Sequence, residues 1–342
     1  MYVMLRRLNI EFRGIRFSLI NLATIIFGHA YKMRLLEIMK KMTSLFKLIV
    51  QERDPKKLGP FLLKNGFSHQ ALNNAKHHHG MILVNHKRRY TSFNLRAGDE
   101  VIFISGEEKK NDFLKPSNNP VSIVLENKNY LVVNKPAGVL SIPSRYEDDD
   151  AVVNRLLGYF AQKGQKNLKP HVITRLDRDT SGLVLVGKNA ISHARFSKIG
   201  KEKFVKKYHA IVHGNFAPNE LTGLIDQPIG KKGSGVKRAV VADGKDAQTA
   251  YRVLDQVTGA SLVELRLLTG RTHQIRVHMA YLGHPLYGDP LYGIQDGFSR
   301  QALNCFYLNF PDPFSQQKCK TIELNDPKDM QELWQKLINK EF

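Results

Sequence analysis

The sequence predicts an α+β protein, with a mixed, mainly antiparallel sheet in its larger part and a small α/β unit before it. Helix signals cluster between residues 55 and 80. Short apolar runs with few helices between them recur from residue 123 onward. A polar stretch at 106–120 divides the two regions. This gives an extension at 1–54, a small unit at 55–105, a linker at 106–120 and a main domain at 121–342.

In the small unit, Leu58, Phe61, Leu62 and Leu63 predict a first helix that Gly66 stops. Ser68 is placed to cap a second, with Ala71, Leu72 and Ala75 on its face and Gly80 past its end. Met81 to Asn85 reads as a strand, residues 94–100 as a turn, and Val101 to Ile104 as a second strand. The linker holds Lys109, Lys110, Asn111, Pro116, Ser117, Asn118 and Pro120. The main domain opens with strands at Ile123–Asn127 and Tyr130–Val133, the second ending in a Lys-Pro-Ala-Gly turn at 135–138. Lys135 and Pro136 are read as structural. A helix with acidic residues at its start is expected from Asp148 to Gly158, where the dipole favours them. Leu183–Val186 and Ala210–Val212 read as strands, and residues 231–238 as a basic loop. Thr272 is placed to cap a last helix whose buried stripe is Ile275, Met279 and Leu282, ended by Gly283.

The chain has 342 residues, 42% hydrophobic and 24% charged, which is ordinary for a soluble globular protein. Its formal charge of +21 is not ordinary and suggests a polyanionic partner, with nucleic acid ahead of a membrane surface. Cys305 and Cys319 sit in no close-spaced ligand pattern, which fits a reducing cytoplasm and argues against disulfides or a zinc site. The run His77-His78-His79 is read as a solvated basic patch, because adjacent side chains diverge. Before Met33, four arginines precede an uncharged stretch from Phe17 to Phe27, shorter than the ~20 apolar residues a spanning helix needs. No small-residue cleavage site marks a signal peptide. An arginine-bearing, acid-poor targeting segment is an alternative to the preferred reading, an upstream extension with Met33 as a candidate start.

The most informative stretch is residues 175–182, Arg-Leu-Asp-Arg-Asp-Thr-Ser-Gly, followed at once by the apolar run 183–186. It sets Asp177 between two arginines on a loop held by a buried strand, a placement suited to a phosphate-bearing substrate. The octet resembles the R-L-D-x-x-T-S-G motif of RNA pseudouridine synthases that modify ribosomal and transfer RNA, with Thr174 where many members have histidine. Lys207-Tyr208 resembles the family's K-x-Y or K-Y motif. Residues 270–278, Gly-Arg-Thr-His-Gln-Ile-Arg-Val-His, resemble its third motif, and the segment from Gly283-His284-Pro285 to Gly293 a loop shaping the pocket wall. The small unit, with its G-x-I-x-V-N-like and A-G-D-E-V phrases, resembles an S4-type RNA-binding domain.

The resemblance implies an isomerase that turns uridine into pseudouridine without cofactor or metal. Asp177 is then the catalytic carboxylate, Tyr208 the ring that stacks on the base and helps remove its C5 proton, and Arg276 the partner of Asp177. Burial can raise an aspartate pKa by up to about 3–5 units, so a carboxylate in a dry pocket needs such a cation. Arg175, Lys207, Arg271, Lys231 and Lys232 are the candidate RNA-binding residues. The expected substrate is ribosomal RNA, then transfer RNA, for a cytoplasmic monomer without membrane association. A non-catalytic RNA-binding protein is the rival reading, and a small-molecule nucleosidase fits the charge poorly.

Overall fold

The computed structural model describes residues 45–340 apart from 79, 107, 109–113, 145–149, 166–167, 234 and 316–318. The expectations for residues 1–32, and for His79, Lys109, Lys110, Asn111 and Asp148, fall outside the described residues. The chain divides into two compact units, 1–109 and 110–342.

Among the described residues, the first unit has a four-stranded antiparallel sheet and two helices. Its elements are β1 (Leu45–Ile49), α1 (Leu58–Lys64), α2 (His69–His77), β2 (Met81–Val84), β3 (Lys87–Arg88) and β4 (Glu100–Ile104), and the strand order is β1-β4-β2-β3. Ser68 caps α2 as expected, its hydroxyl accepting from the Ala71 N–H at 3.1 Å. Asn85 and His86 both have positive φ, 48° and 65°, the turn geometry that matches the twist of a two-residue hairpin between β2 and β3. Phe46, Phe67 and Phe103 pack ring against ring in the core. The sheet begins earlier than the sequence reading placed the unit. The run Leu-Phe-Lys-Leu-Ile of β1 lies in the stretch assigned to the extension, yet it pairs with β4 along its full length.

The second unit carries β5 (Ser122–Glu126), β6 (Tyr130–Lys135), α3 (Val152–Gln162), β7 (His171–Val172), β8 (Ser181–Gly187), α4 (Ala190–Ser197), β9 (Val205–His213), β10 (Thr222–Asp226), β11 (Ile229–Lys231), β12 (Arg238–Val240), β13 (Gln248–Val257), β14 (Ala260–Leu267), α5 (Gln274–Tyr281), β15 (Leu303–Phe310), β16 (Lys320–Glu323) and α6 (Lys328–Asn339). The main sheet runs β10-β13-β14-β9-β15-β8-β6-β5, with β16 paired to β15 and β7 to β8. Among the described pairs only β15–β8 is parallel. β11 and β12 form a separate hairpin.

The period-2 alternation of β9 divides the core. Tyr208, Ala210 and Val212 turn to one face, where they join Val133, Leu156, Leu183 and Ile275. Ile211 turns to the other, where Met330, Leu333 and Leu337 of α6 cover it. β8 is buried along its whole length, as a Leu-Val-Leu-Val run requires. α3 starts at Val152, after the acidic run, and Asp150 pairs instead with Arg155. No helix among the described residues is long and apolar enough to cross a membrane.

Candidate active site

Asp177 lies in the loop between β7 and β8, and several residues around it have a physical task there. Thr174 is buried, and its hydroxyl accepts from the Leu185 N–H at 2.9 Å. The Ser141 hydroxyl bridges the N–H and carbonyl of Leu176 at 3.1 Å each. Thr180 accepts from the Gln301 amide at 3.1 Å, and the Ser181 hydroxyl donates to Asn304 Oδ1 at 2.9 Å. Gly182 has φ of +113°, and a Cβ there would stand 2.3 Å from the Cys305 carbonyl. Only glycine lets β8 approach β15 this closely.

Two buried cations hold the loop from below. Lys135, fully buried, donates to the carbonyls of Val139 and Arg178 at 2.6 Å and of Pro136 at 2.9 Å. Burial pushes its amine down to about 7, against the pull of Asp179 and Asp177. Arg300 donates to the Asp179 carbonyl at 3.3 Å and grips Asp329, at the start of α6, through Nε at 2.7 Å and Nη2 at 2.9 Å.

Arg276 is in the first turn of α5, as expected, and its Nη1 stands 3.8 Å from Asp177 Oδ2. That is an ion pair but too long for a hydrogen bond. Its short contacts go elsewhere. Nε and Nη2 each reach the Asp289 carboxylate at 2.6 Å, a bidentate pair on a side chain with no solvent exposure. Asp289 also accepts from the N–H groups of Leu291 and Tyr292 at 2.9 and 3.1 Å. Burial opposes the Arg276 charge, but Asp289 and Asp177 together raise its pKa above the ordinary value. So Arg276 faces the candidate carboxylate with its orientation already fixed by a second one.

Tyr208 is buried on the same side of the sheet, its hydroxyl against the Cys305 thiol. Burial, Cys305 and the Asp177 charge all raise its pKa well above the ordinary value, so the phenol stays protonated. Lys206, two residues earlier on β9, shares that face, lies 5.9 Å from the Tyr208 ring centroid and feels the Asp177 charge. Lys207 turns to the opposite face, where it pairs with Glu264 at 3.3 Å. Arg175 is exposed on the open side with Asp177, while Leu176 between them is buried. Arg271 is exposed, with Nε on the Asp246 carbonyl at 2.8 Å. Lys231 and Lys232 are exposed on the β11–β12 hairpin.

The start of α5 differs from the expectation. His273, at φ +57°, occupies the cap position, and the Gln274 side chain accepts from the Arg271 N–H and the Thr269 hydroxyl, each at 2.9 Å. Leu282 is 36% exposed and so lies outside the buried stripe of Ile275 and Met279. Sequence reasoning missed Lys206 and Arg300, and placed Asp289 and Tyr292 only in a loop shaping the pocket wall, without their contacts to Arg276. A strand period of two would have found Lys206 from Tyr208.

Residues 129–281 match the family model for RNA pseudouridylate synthase. An uncharacterized RNA pseudouridine synthase of Bacillus subtilis, YjbO, is 38% identical over 271 residues, covering 78% of this chain and 94% of that protein. The ribosomal large subunit pseudouridine synthase D of Zymomonas mobilis is 39% identical over 241 residues, covering 66% of this chain and 75% of that one. Among solved structures, human RNA pseudouridylate synthase domain containing 1 aligns with a TM-score of 0.52 at 28% identity, over 62% of this chain and 85% of that one.

Proposed function

Because this chain belongs to the family of RNA pseudouridine synthases, we propose that it isomerises uridines of ribosomal RNA and that Asp177 carries the reaction. The observation that bears most weight is the contact between Asp177 and Arg276, 99 positions apart in sequence and 3.8 Å apart in space. Ribosomal RNA is favoured over transfer RNA by the relatives named ribosomal large subunit pseudouridine synthase D.

The reaction breaks the bond between ribose C1′ and uracil N1, turns the base and joins C1′ to C5. The C5 proton leaves, and N1 ends with one. Asp177 serves as nucleophile at C1′, or as the base that takes a ribose proton, as carboxylates do in glycosidic cleavage. Arg276 keeps it anionic when the base displaces water. Tyr208, held neutral, offers the uracil a ring face and a hydroxyl donor. The C5 proton therefore passes to a carboxylate such as Asp177 more readily than to the phenol. Arg175, exposed beside Asp177, binds a phosphate or occupies the space the flipped uridine leaves. Lys231, Lys232 and Arg271 carry charge to the backbone. Lys207 is better placed to brace β9 through Glu264 than to touch substrate.

The small first unit serves as an RNA-binding module in this reading. Its exposed hairpin turn places Lys87, Arg88 and Tyr90 on the surface. The test is Asp177→Asn on unmodified ribosomal RNA transcripts. Isomerisation is lost while RNA affinity stays near wild type, and normal turnover by the variant refutes the assignment.

A further inference from the structure

We propose that Arg238 is a substrate-binding residue, holding a phosphate of the RNA strand beside the target uridine. The inference rests on the reading of Asp177 as the catalytic carboxylate. Arg238 opens β12, on the basic hairpin that carries Lys231 and Lys232. Its backbone N–H donates to the Tyr292 hydroxyl at 2.8 Å. The same hydroxyl lies 3.0 Å from His273 Nδ1, and the Arg276 guanidinium stands over the Tyr292 ring at 5.1 Å. One tyrosine thus ties the hairpin to the arginine that faces Asp177.

Both carboxylates of this corner meet Arg276, and among the described residues neither makes an ion pair with Arg238. Asp289 is saturated by Arg276 and two backbone N–H groups, and Asp177 faces Arg276. The Arg238 guanidinium acts on the His273 imidazole, as Asp177, Asp289 and Arg276 also do. Its Nη1 is nevertheless shielded from solvent with no hydrogen-bond partner among the described residues. A donor that is both charged and shielded calls for an acceptor. The fork geometry of guanidinium fits a phosphate, whose two free oxygens can meet two N–H groups at once. His273 supports the idea from the backbone side. A left-handed histidine, φ +57°, is a strained conformation of the kind found where a site is held in shape for a ligand.

A phosphate and a uracil carbonyl would both satisfy Nη1, and salt separates them. Releasing one phosphate contact lowers the slope of log K against log salt by about 0.7 on a single strand and 0.9 on a duplex, whereas losing a contact to a neutral carbonyl leaves it unchanged. The experiment uses the full chain and unmodified ribosomal RNA transcripts, with Kd measured from low to high salt for wild type, Arg238→Gln, Arg238→Lys and Asp177→Asn. For Arg238→Gln we expect Kd to weaken about tenfold, the slope to fall by ~0.7–0.9, and Tm to stay within 2 °C of wild type, because no intramolecular bond is lost. Arg238→Lys restores the slope and part of the affinity. Unchanged Kd and slope overturn the proposal, as does a weaker Kd with an unchanged slope, which assigns the contact to a neutral acceptor. A fall in Tm with unchanged Kd overturns it in favour of a structural role. Asp177→Asn reports separately on the underlying reading: if that variant turns over, the catalytic assignment fails whatever Arg238 does.

Discussion

Asp289→Asn is the substitution that best tests how the site is held. The change keeps the size of the side chain and one oxygen able to accept from Leu291 and Tyr292, but it removes the charge that Arg276 meets at 2.6 Å through both Nε and Nη2. One of those guanidinium N–H groups then faces an amide NH2, donor against donor. Arg276 is 5% exposed in its side chain and Asp289 not at all, so water cannot replace the lost partner. Breaking such a pair costs about 3–5 kcal/mol. At roughly 2–4 °C per kcal/mol for a unit of this size, the unfolding midpoint of the full chain falls by roughly 6–20 °C. Activity falls further than stability. Freed from Asp289, Arg276 can close the 3.8 Å gap to Asp177 and bond the carboxylate directly. A misplacement of about 1 Å can cost on the order of 100-fold in rate. Calorimetry gives the first quantity, and release of label from C5-tritiated uridine in transcripts gives the second, measured where the variant is still folded. A midpoint within 2 °C of wild type, or a rate within threefold, would show that Asp289 does not hold Arg276 in place.

Three further outcomes follow from contacts elsewhere in the second unit. Burial raises the Glu126 pKa, but hydrogen bonds from Lys188, Tyr159 and Lys163 overcome it and hold the carboxyl at about 2, against an ordinary value of 4.5. A folded pKa below the unfolded one stabilises above pH 4.5, and that contribution is lost as pH falls toward 2. Glu126→Gln should therefore be less stable than wild type at pH 7 by no more than about 3 kcal/mol, and by nearer half that after solvent screening. The difference should shrink between pH 4.5 and 2, and a pH-independent difference counts against the ion-pair origin. Arg300→Lys keeps a charge but loses the two-pronged grip on Asp329 and the reach to the Asp179 carbonyl. Its turnover should drop about tenfold with RNA affinity retained, a split visible in kcat against Kd. Replacing Lys231 and Lys232 with alanine should weaken RNA binding and lower the salt slope by about 1.4–1.8, and an unchanged slope would remove that hairpin from the interface.

Much of this was legible in the chain because it follows from local rules. The Leu-Val-Leu-Val run fixes β8 as a buried strand, and Ser68 marks a helix start by its own chemistry. β1 was hidden because a five-residue strand becomes recognisable only through its partner, and that partner lies more than 50 residues downstream. The lysines before Tyr208 look alike in the sequence. Strand alternation turns Lys206 toward Asp177 and Lys207 toward Glu264, which charge counting along the sequence does not distinguish. The Asp177–Arg276 pairing was expected, but the expectation gave the arginine a single partner. A guanidinium has five N–H donors in a fixed plane and can serve two carboxylates at once. Here the buried, two-bond partner is Asp289, and the candidate catalytic carboxylate receives the longer, looser contact. That division has a chemical rationale. An aspartate locked by two short hydrogen bonds would have its lone pairs committed, whereas one at 3.8 Å keeps the benefit of the charge with its oxygens open toward a substrate.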